Sequence, residues 1–199
     1  MRKKALFIDP GRCIGCQACV AACRECDSHK GRSMIHLDYV DSGNSAAAMP
    51  TVCMHCSDPV APCAQVCPVD AIPVGTDGVV GTASPELCIG CGNCVHACPF
   101  GVPKLDIPEM LQYKCDLCYD RSSQGLLPMC ASVCPTDALF YGTYDELVAK
   151  RPSAKAVDVF DFGNQSVVTG NALVAPAGGE DVIPGGYSVW NEFLSEEKV

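Results

Sequence analysis

The sequence predicts an α+β fold in which short helices and short strands surround groups of cysteines. Three observations support this prediction. Sixteen of the seventeen cysteines fall into four groups of four, and short segments beside these groups repeat along the chain. Aromatic residues make up only 7% of the 199 residues, whereas there are 18 glycines and 15 prolines. This composition indicates a chain that builds little of its interior from large side chains.

The spacing within the cysteine groups predicts their ligand. The groups are Cys13, Cys16, Cys19 and Cys23; Cys53, Cys56, Cys63 and Cys67; Cys88, Cys91, Cys94 and Cys98; and Cys115, Cys118, Cys130 and Cys134. The first and third groups have the spacing C-x2-C-x2-C-x3-C, and a proline follows the second, third and fourth groups. This run is that of bacterial ferredoxins, whose cysteines hold iron–sulfur clusters. Four groups therefore predict four [4Fe–4S] clusters.

Disulfides and zinc are the two other interpretations of so many cysteines. A disulfide framework requires an oxidising compartment, and the apolar run at residues 5–8 is too short for the core of a signal peptide. Zinc is held by paired cysteines, and the fourth group alone would fit such a site. A zinc site explains neither the pattern Cys-x2-Cys-x2-Cys nor the proline that follows the last cysteine of a group. Iron–sulfur clusters are the preferred interpretation.

Residues 17–29 are predicted to form a helix that carries Cys19 and Cys23 on one face. One turn of rise, about 5.4 Å, moves the last thiolate toward a second cluster. In two-cluster ferredoxins the fourth cysteine of a run does bind the other cluster. The proline after a group ends its helix, and the apolar segments 68–72 and 135–139 are then predicted to be short strands. Together with the matching segments 8–16 and 83–91, this predicts a repeated unit of strand, cluster loop, helix and strand.

The groups are predicted to pair in a nested order. Only residues 68–87 separate the second group from the third, so we pair these two groups within a ferredoxin-like module at 51–99. The first and fourth groups then form a module from residues 1–50 and 100–148. The predicted ligand sets are set A (Cys13, Cys16, Cys19 and Cys134), set B (Cys23, Cys115, Cys118 and Cys130), set C (Cys53, Cys56, Cys63 and Cys98) and set D (Cys67, Cys88, Cys91 and Cys94). The alternative pairs the first group with the second and the third with the fourth.

Several motifs carry a resemblance to a known family. They are Cys-Met-His-Cys at 53–56, Cys-Ala-Gln-Val-Cys-Pro at 63–68, Cys-Pro-Phe-Gly-Val-Pro at 98–103 and Lys-Cys-Asp-Leu-Cys-Tyr-Asp-Arg at 114–121. With these motifs, residues 5–145 resemble the four-cluster electron-transfer subunit of molybdopterin oxidoreductases, such as dimethyl sulfoxide, polysulfide and nitrate reductases and formate dehydrogenases. The resemblance implies the nested modules and a large catalytic partner with a molybdenum or tungsten cofactor.

The chain departs from some relatives at three places. Some relatives have a three-iron cluster because a non-cysteine stands in the third group, whereas this chain has Cys91 there. Arg24 replaces the proline after the first group, so the first helix is expected to continue. The long membrane-anchor tail of some relatives is absent, and no apolar stretch is long enough to span a bilayer. We therefore expect no membrane span of the chain's own.

The expected function is the relay of single electrons between the catalytic subunit and a quinone-linked membrane subunit or another redox partner. A free-standing polyferredoxin that serves a hydrogenase or reductase is one alternative, and a zinc-bound interaction module is another. The chain has no Ser-His-Asp set, phosphate-binding loop or dinucleotide fingerprint, so we expect no catalytic site of its own. The net charge of −9 argues against nucleic acid as a partner. The expected location is the cytoplasm, or the membrane surface through a partner, with export on a partner's signal as the alternative.

The remaining candidates lie beside or beyond the cysteine groups. Cys26 is expected to be a buried thiol, with a spare ligand as the alternative. His55 and His96 are expected to pack around the clusters, whereas Lys104, Lys114 and Arg121 either tune cluster potentials or lie in solvent. Gly15, Gly90 and Gly92 are expected to allow close approach of the backbone to the clusters.

Residues 149–199 are predicted to be a loop-rich C-terminal arm that docks on a partner. Within the arm, 157–162 is predicted to be a strand and 163–186 a loop. Trp190, Phe193 and Leu194 lie at the spacing of one helix face, and are candidates for partner contact. Packing of this tail on the chain itself is the alternative.

Overall fold

The structure is a computed structural model that describes residues 4–41 and 46–175. Its α-helices are α1 (Ala18–Arg24), α2 (Pro62–Gln65), α3 (Asn93–Ala97), α4 (Tyr119–Ser122), α5 (Met129–Ser132) and α6 (Tyr144–Lys150). Its strands are β1 (Ala5–Ile8), β2 (His36–Asp41), β3 (Ala46–Thr51), β4 (Cys56–Asp58), β5 (Lys104–Asp106), β6 (Leu111–Tyr113), β7 (Leu139–Gly142), β8 (Lys155–Phe162) and β9 (Gln165–Ala175). This mixture of helices and strands confirms the predicted α+β class.

The largest sheet has strands from both ends of the described chain. Its order is β4-β9-β1-β7, and β8 pairs with β9. Strand β1 is antiparallel to β7 and parallel to β9. Leu6 and Ile8 of β1 are buried because the strand has neighbours on both edges and core residues on its face.

The prediction of a loop-rich arm is wrong for residues 155–175. The strand predicted at 157–162 is part of β8, but 165–175, predicted as loop, form the longest strand of the fold. Gly170 and Asn171 lie inside β9 and give it the composition of a loop. Residues 176–199, with Trp190, Phe193 and Leu194, lie outside the described residues.

Buried hydrogen bonds of Asn171 explain how a polar residue is tolerated inside β9. Its Oδ1 accepts from the Leu6 N–H at 3.0 Å, and its Nδ2 donates to the Cys53 carbonyl at 2.8 Å. Since Asn171 is fully buried, both bonds satisfy groups that water does not reach. The C-terminal strand thus fixes the backbone of the first cysteine of the second group.

The helices around the cysteines are short. Helix α1 begins inside the predicted range of 17–29 but ends at Arg24, so the expected continuation of this helix is wrong, and a 3-10 turn, Asp27–His29, follows it. The predicted strand after Pro68 is wrong, because residues 68–72 form turns and Val74 pairs only through an isolated bridge to Val80. Its counterpart after Pro135 does lead into a strand, because β7 has β1 as a partner.

Two hairpins and several buried clusters complete the part of the fold that holds the cysteines. Strands β2 and β3 pair antiparallel, as do β5 and β6. One buried cluster contains Leu6, Val79 and Cys115, and so crosses the predicted boundaries of module 51–99. The division into modules stays a prediction. In the two described ranges, no helix is long and apolar enough to pass through a membrane.

We predict that Asn171→Leu destabilises the protein strongly, because the Leu6 N–H and the Cys53 carbonyl lose their buried partner. Each unsatisfied group is expected to cost about 1–3 kcal/mol. The measurement is the urea concentration at half-unfolding, followed by circular dichroism under anaerobic conditions. Gln165→Leu, which removes an exposed amide from the same strand, is the matched control. A loss of stability no larger than that of the control would contradict the role of Asn171.

Candidate iron–sulfur sites

Two cavities in the structure are each lined by four cysteines. The first is lined by Cys53, Cys56, Cys63 and Cys98. The second is lined by Cys67, Cys88, Cys91 and Cys94. Each therefore takes three cysteines from one group and the fourth from the other. Four thiols around one cavity are the donor set that suits a [4Fe–4S] cluster.

Cysteines of the first and fourth groups also lie near one another. The pKa of the Cys19 thiol is raised to about 11, with burial as the main cause and the charges of Cys13, Cys134 and Cys16 acting in the same direction. Cys134 of the fourth group thus lies with the first three cysteines of the first group. The pKa of Cys130 is likewise raised to about 12, with burial as the main cause and the charge of Cys23 as the next largest.

Cysteines of neighbouring sets also interact. Cys19 of set A contributes to the raised pKa of Cys130 in set B, after burial and Cys23. Burial raises the pKa of Cys115 in set B, and the next cause is the charge of Cys53 in set C. Cys94 of set D contributes to the raised pKa of Cys63 in set C, where burial is the main cause. Cysteines of sets A and B, of sets B and C, and of sets C and D therefore lie near one another.

Backbone turns direct N–H groups toward the sulfur atoms. The amide of Met34 donates to Cys23 Sγ at 3.2 Å, and that of Ala71 donates to Cys67 Sγ at 3.3 Å. His55 N and Leu117 N make similar bonds at 3.4 Å to the cysteines two residues earlier. Such donors stabilise the charged form of the sulfur.

Three glycines with positive φ angles lie between cysteines of the first and third groups. Gly15, Gly90 and Gly92 have φ values of 68°, 66° and 77°, as glycine permits. A Cβ on Gly90 would lie only 2.9 Å from the carbonyl oxygen of Met110, so a larger residue would need the backbone to move. These angles agree with the backbone freedom expected of glycine, and the close approach of the backbone to the clusters stays a prediction.

The pair of His29 and Asp116 is a feature that sequence reasoning missed. His29 is buried, its Nδ1 lies 3.3 Å from Cys23 Sγ, and its Nε2 lies 3.1 Å from Asp116 Oδ1. Burial opposes the charge on His29, but the bonds to Asp116 and Cys23 raise its pKa to about 11. Burial raises the pKa of Cys23, but the hydrogen bond and charge of His29 outweigh it and make the net shift a lowering. A charged His29 therefore stabilises the Cys23 thiolate.

Cys26 is buried, as expected, but its surroundings are polar. Its Sγ lies 3.4 Å from Ser28 Oγ and 3.5 Å from Asp120 Oδ1. Ligand atoms of Cys26, His29 and Cys118 lie within 4.8 Å of one another. Since Cys118 is a predicted ligand of set B, Cys26 and His29 lie beside that predicted set.

The charged candidates differ in burial. Lys114 is buried and its Nζ donates to the carbonyls of Val80 and Cys115, so the solvent-exposed interpretation is wrong for this residue. Lys104 is exposed and donates to the carbonyl of Gly101, and Arg121 donates from Nε to the carbonyl of Leu127.

The two histidines of the cysteine groups also differ. His55 is buried and its Nδ1 accepts from the Val80 N–H at 3.0 Å, which agrees with the expected packing role. His96 is exposed.

Comparison with known proteins gives two family matches and several relatives. The family described as "4Fe-4S dicluster domain" matches residues 45–144, and the "4Fe-4S binding domain" matches residues 4–25. The chain is 36% identical over 165 residues to the formate dehydrogenase-O iron-sulfur subunit of Escherichia coli (strain K12), a match that covers 72% of the chain but 54% of that protein. The chain thus spans about half the length of this relative.

Other relatives are covered more fully. The B subunit of anaerobic dimethyl sulfoxide reductase from Escherichia coli (strain K12) is 35% identical over 164 residues, which cover 76% of this chain and 78% of the relative. The formate dehydrogenase iron-sulfur subunit of Wolinella succinogenes is 36% identical over 183 residues, which cover 75% of this chain and 90% of the relative.

We predict that acid releases iron and that His29→Gln makes the protein more sensitive to acid. The raised pKa values mean that thiols such as Cys19 hold a proton at neutral pH when no metal is bound. Each must lose that proton to bind iron, so iron affinity rises with pH and falls as acid is added. Without the charge of His29, the pKa of Cys23 rises and protons compete better for its sulfur.

The measurement is the iron retained by the anaerobic protein after exposure to a chelator between about pH 5 and pH 8. The pH of half-release is expected to be higher in His29→Gln than in the parent. His36→Gln is the control, because His36 is partly exposed and pairs with Asp38. Equal half-release values in the parent and His29→Gln would argue against stabilisation of the thiolate.

Proposed function

The chain belongs to the 4Fe-4S dicluster family of oxidoreductase iron–sulfur subunits, and we propose that it relays single electrons between a molybdopterin-containing catalytic subunit and a second redox partner. The observation that carries this proposal is the pair of cavities that are each lined by four cysteines, and the influence of cysteines in neighbouring predicted sets on one another supports a row of four such sites. When bound, iron–sulfur clusters accept and release electrons one at a time. A row of such sites suits conduction through the protein.

We propose four [4Fe–4S] clusters, one for each set. The two cavities lined by four cysteines support sets C and D, and the mutual effects on thiol pKa support sets A and B. The protein's own contribution is to supply thiolates, to direct N–H donors at them and to bury them. Cysteines such as Cys23, Cys63 and Cys115 are buried, so water has little access to their sulfur atoms.

Electrons are proposed to enter and leave at the two ends of the row. Cys16 of set A and Cys91 of set D are exposed. Beside them, Ile14 is 67% exposed and Ile89 is 58% exposed. Large apolar side chains next to exposed ligands suit contact with a redox partner at each end.

The proposed partners follow from the relatives. Their names place them in formate dehydrogenases and dimethyl sulfoxide reductases. We propose that this chain serves a large subunit with a molybdenum or tungsten cofactor, where the substrate chemistry takes place, and that the chain has no catalytic site of its own. The second partner is a membrane subunit that reacts with quinone, or another redox protein.

The proposed location is the cytoplasm, or the membrane surface through a partner. Seventeen free cysteines must stay reduced until their clusters are assembled, and the cytoplasm keeps thiols reduced. Export together with a partner remains the alternative location, and fractionation of the host cells separates the two.

We predict that cysteine variants report the proposed pairing. The anaerobic wild-type chain is expected to contain about sixteen iron atoms, and replacement of a ligand is expected to alter one cluster. Cys98→Ser and Cys56→Ser should alter the same electron paramagnetic resonance (EPR) signal, whereas Cys67→Ser and Cys91→Ser should alter another. Cys26→Ser tests the alternative that Cys26 is a spare ligand, and unchanged iron content is expected because Cys26 is the one cysteine outside the four groups.

The opposite assignment, in which Cys98→Ser changes the signal that Cys91→Ser changes, would refute the exchange of the fourth cysteine between groups. Negligible iron and sulfide in the wild-type chain would refute the cluster proposal as a whole.

We predict that the tagged chain, isolated anaerobically from its native host, co-purifies with a large subunit that contains molybdenum or tungsten. A formate- or sulfoxide-dependent change in the EPR signals of the complex would then show that electrons pass through the chain. Recovery of the chain alone with full iron content would favour the alternative of a free-standing polyferredoxin.

A further inference from the structure

We propose that one stretch of backbone, strand β6 and the residue after it, tunes two neighbouring clusters: Lys114 raises the reduction potential of the cluster in set C, and Gln112 raises that of the cluster in set D. This inference rests on the proposed function, because it requires clusters in both sets.

The two side chains lie on one side of the backbone. Gln112 is in β6, and Lys114 follows the strand by one residue. Residues two apart on an extended chain point to the same side. Gln112 lines the cavity of set D and Lys114 lines the cavity of set C. Both are only 1% exposed, so each acts on its cavity with little screening by water.

Every polar contact of the Lys114 ammonium is an acceptor. Its Nζ donates to the carbonyls of Val80 and Cys115 and lies 3.8 Å from Cys53 Sγ. An ammonium has three N–H donors and no acceptor, so these contacts fit its charged form. The Lys114 carbonyl accepts from the Thr82 hydroxyl at 2.8 Å, which holds the backbone in place.

The cysteines of set C are the anionic partners of this charge. Across the described residues, no carboxylate forms an ion pair with Lys114. Cys63, a second cysteine of set C, lines the same cavity as Lys114. A buried cation next to two ligands of one set favours additional negative charge there.

Gln112 has a buried donor and lines the cavity of set D. Its Oε1 accepts from the Ala83 N–H at 3.0 Å, which fixes the orientation of the amide. Its Nε2 is buried and has no hydrogen-bond partner among the described residues. A buried N–H without an acceptor is costly. Sulfur of a cluster in the cavity of set D would supply that acceptor.

Both groups shift potentials in the same direction but by different amounts. Reduction adds one negative charge to a cluster, so a nearby positive charge or N–H donor stabilises the reduced form and raises the potential. A full charge acts more strongly than a single neutral donor. The effect of Lys114 on set C is therefore larger than that of Gln112 on set D.

The test compares variants of the full-length holoprotein by EPR-monitored redox titration, with the signals of sets C and D identified by Cys56→Ser and Cys91→Ser. Lys114→Met is expected to shift the reduction equilibrium of set C at least tenfold toward the oxidised form, which is about 59 mV for one electron. Gln112→Met is expected to lower the potential of set D by a smaller amount and to leave set C unchanged. Lys104→Met removes an exposed lysine from the paired strand β5 and is expected to shift neither cluster.

Three outcomes decide the inference. Unchanged potentials in both variants with full iron content overturn it but leave the proposed function intact, whereas absence of iron in the parent rejects the proposed function itself. If Lys114→Met loses the cluster, Lys114→Gln, which keeps a neutral donor of similar reach, takes its place. A parental potential in Lys114→Gln would overturn the role of the charge.

Discussion

Anionic sulfur inside a protein is stable only where donors and positive charges surround it, and this requirement shapes the structure. The chain has a net charge of −9 before any thiol is ionised, so it has few cations to spare for the interior. Most compensation therefore comes from backbone N–H groups, as with Met34 and Ala71. Single buried side chains, Lys114 and the charged His29, supply the rest.

Much of the fold around the cysteines could be predicted because its causes are local. The spacing of each group, the following proline and the glycine in Cys-Ile-Gly-Cys act within a few residues, and the structure has the expected short helices and positive φ angles there. Strand β9 could not be predicted in this way. Its strand conformation depends on Asn171, whose partners Leu6 and Cys53 lie 165 and 118 residues away in sequence. The local composition at Gly170 and Asn171 indicated a loop, but hydrogen bonds to distant residues stabilise the strand conformation.

The residues around the ligands show the same limit. The sixteen cysteines were identifiable as candidates from their spacing, but the spacing gave no information on His29, which lies outside every group. For Lys114, the sequence left open whether the side chain lies in solvent or near a cluster. Only the packing of Val80 and Cys53 against it shows that the charge is buried. Burial of a polar side chain depends on which distant segments cover it, and periodicity carries little information about that.

Cys53 connects these separate features. Its carbonyl accepts from Asn171 of β9, its sulfur lies near Lys114, and its charge affects Cys115 of the next set. Asn171 of the β8–β9 hairpin therefore contacts Cys53, at the proposed junction between sets B and C, from one side. Lys114, which follows β6, contacts it from the other side. Electron transfer between neighbouring centres requires that their separation stays fixed as their charge changes. Buried contacts tie Cys53 to Asn171 of β9 and to Lys114 after β6, and Asn171 also binds Leu6 of β1. These contacts hold the junction in place. They also explain why β9 lies in the core beside the cysteines.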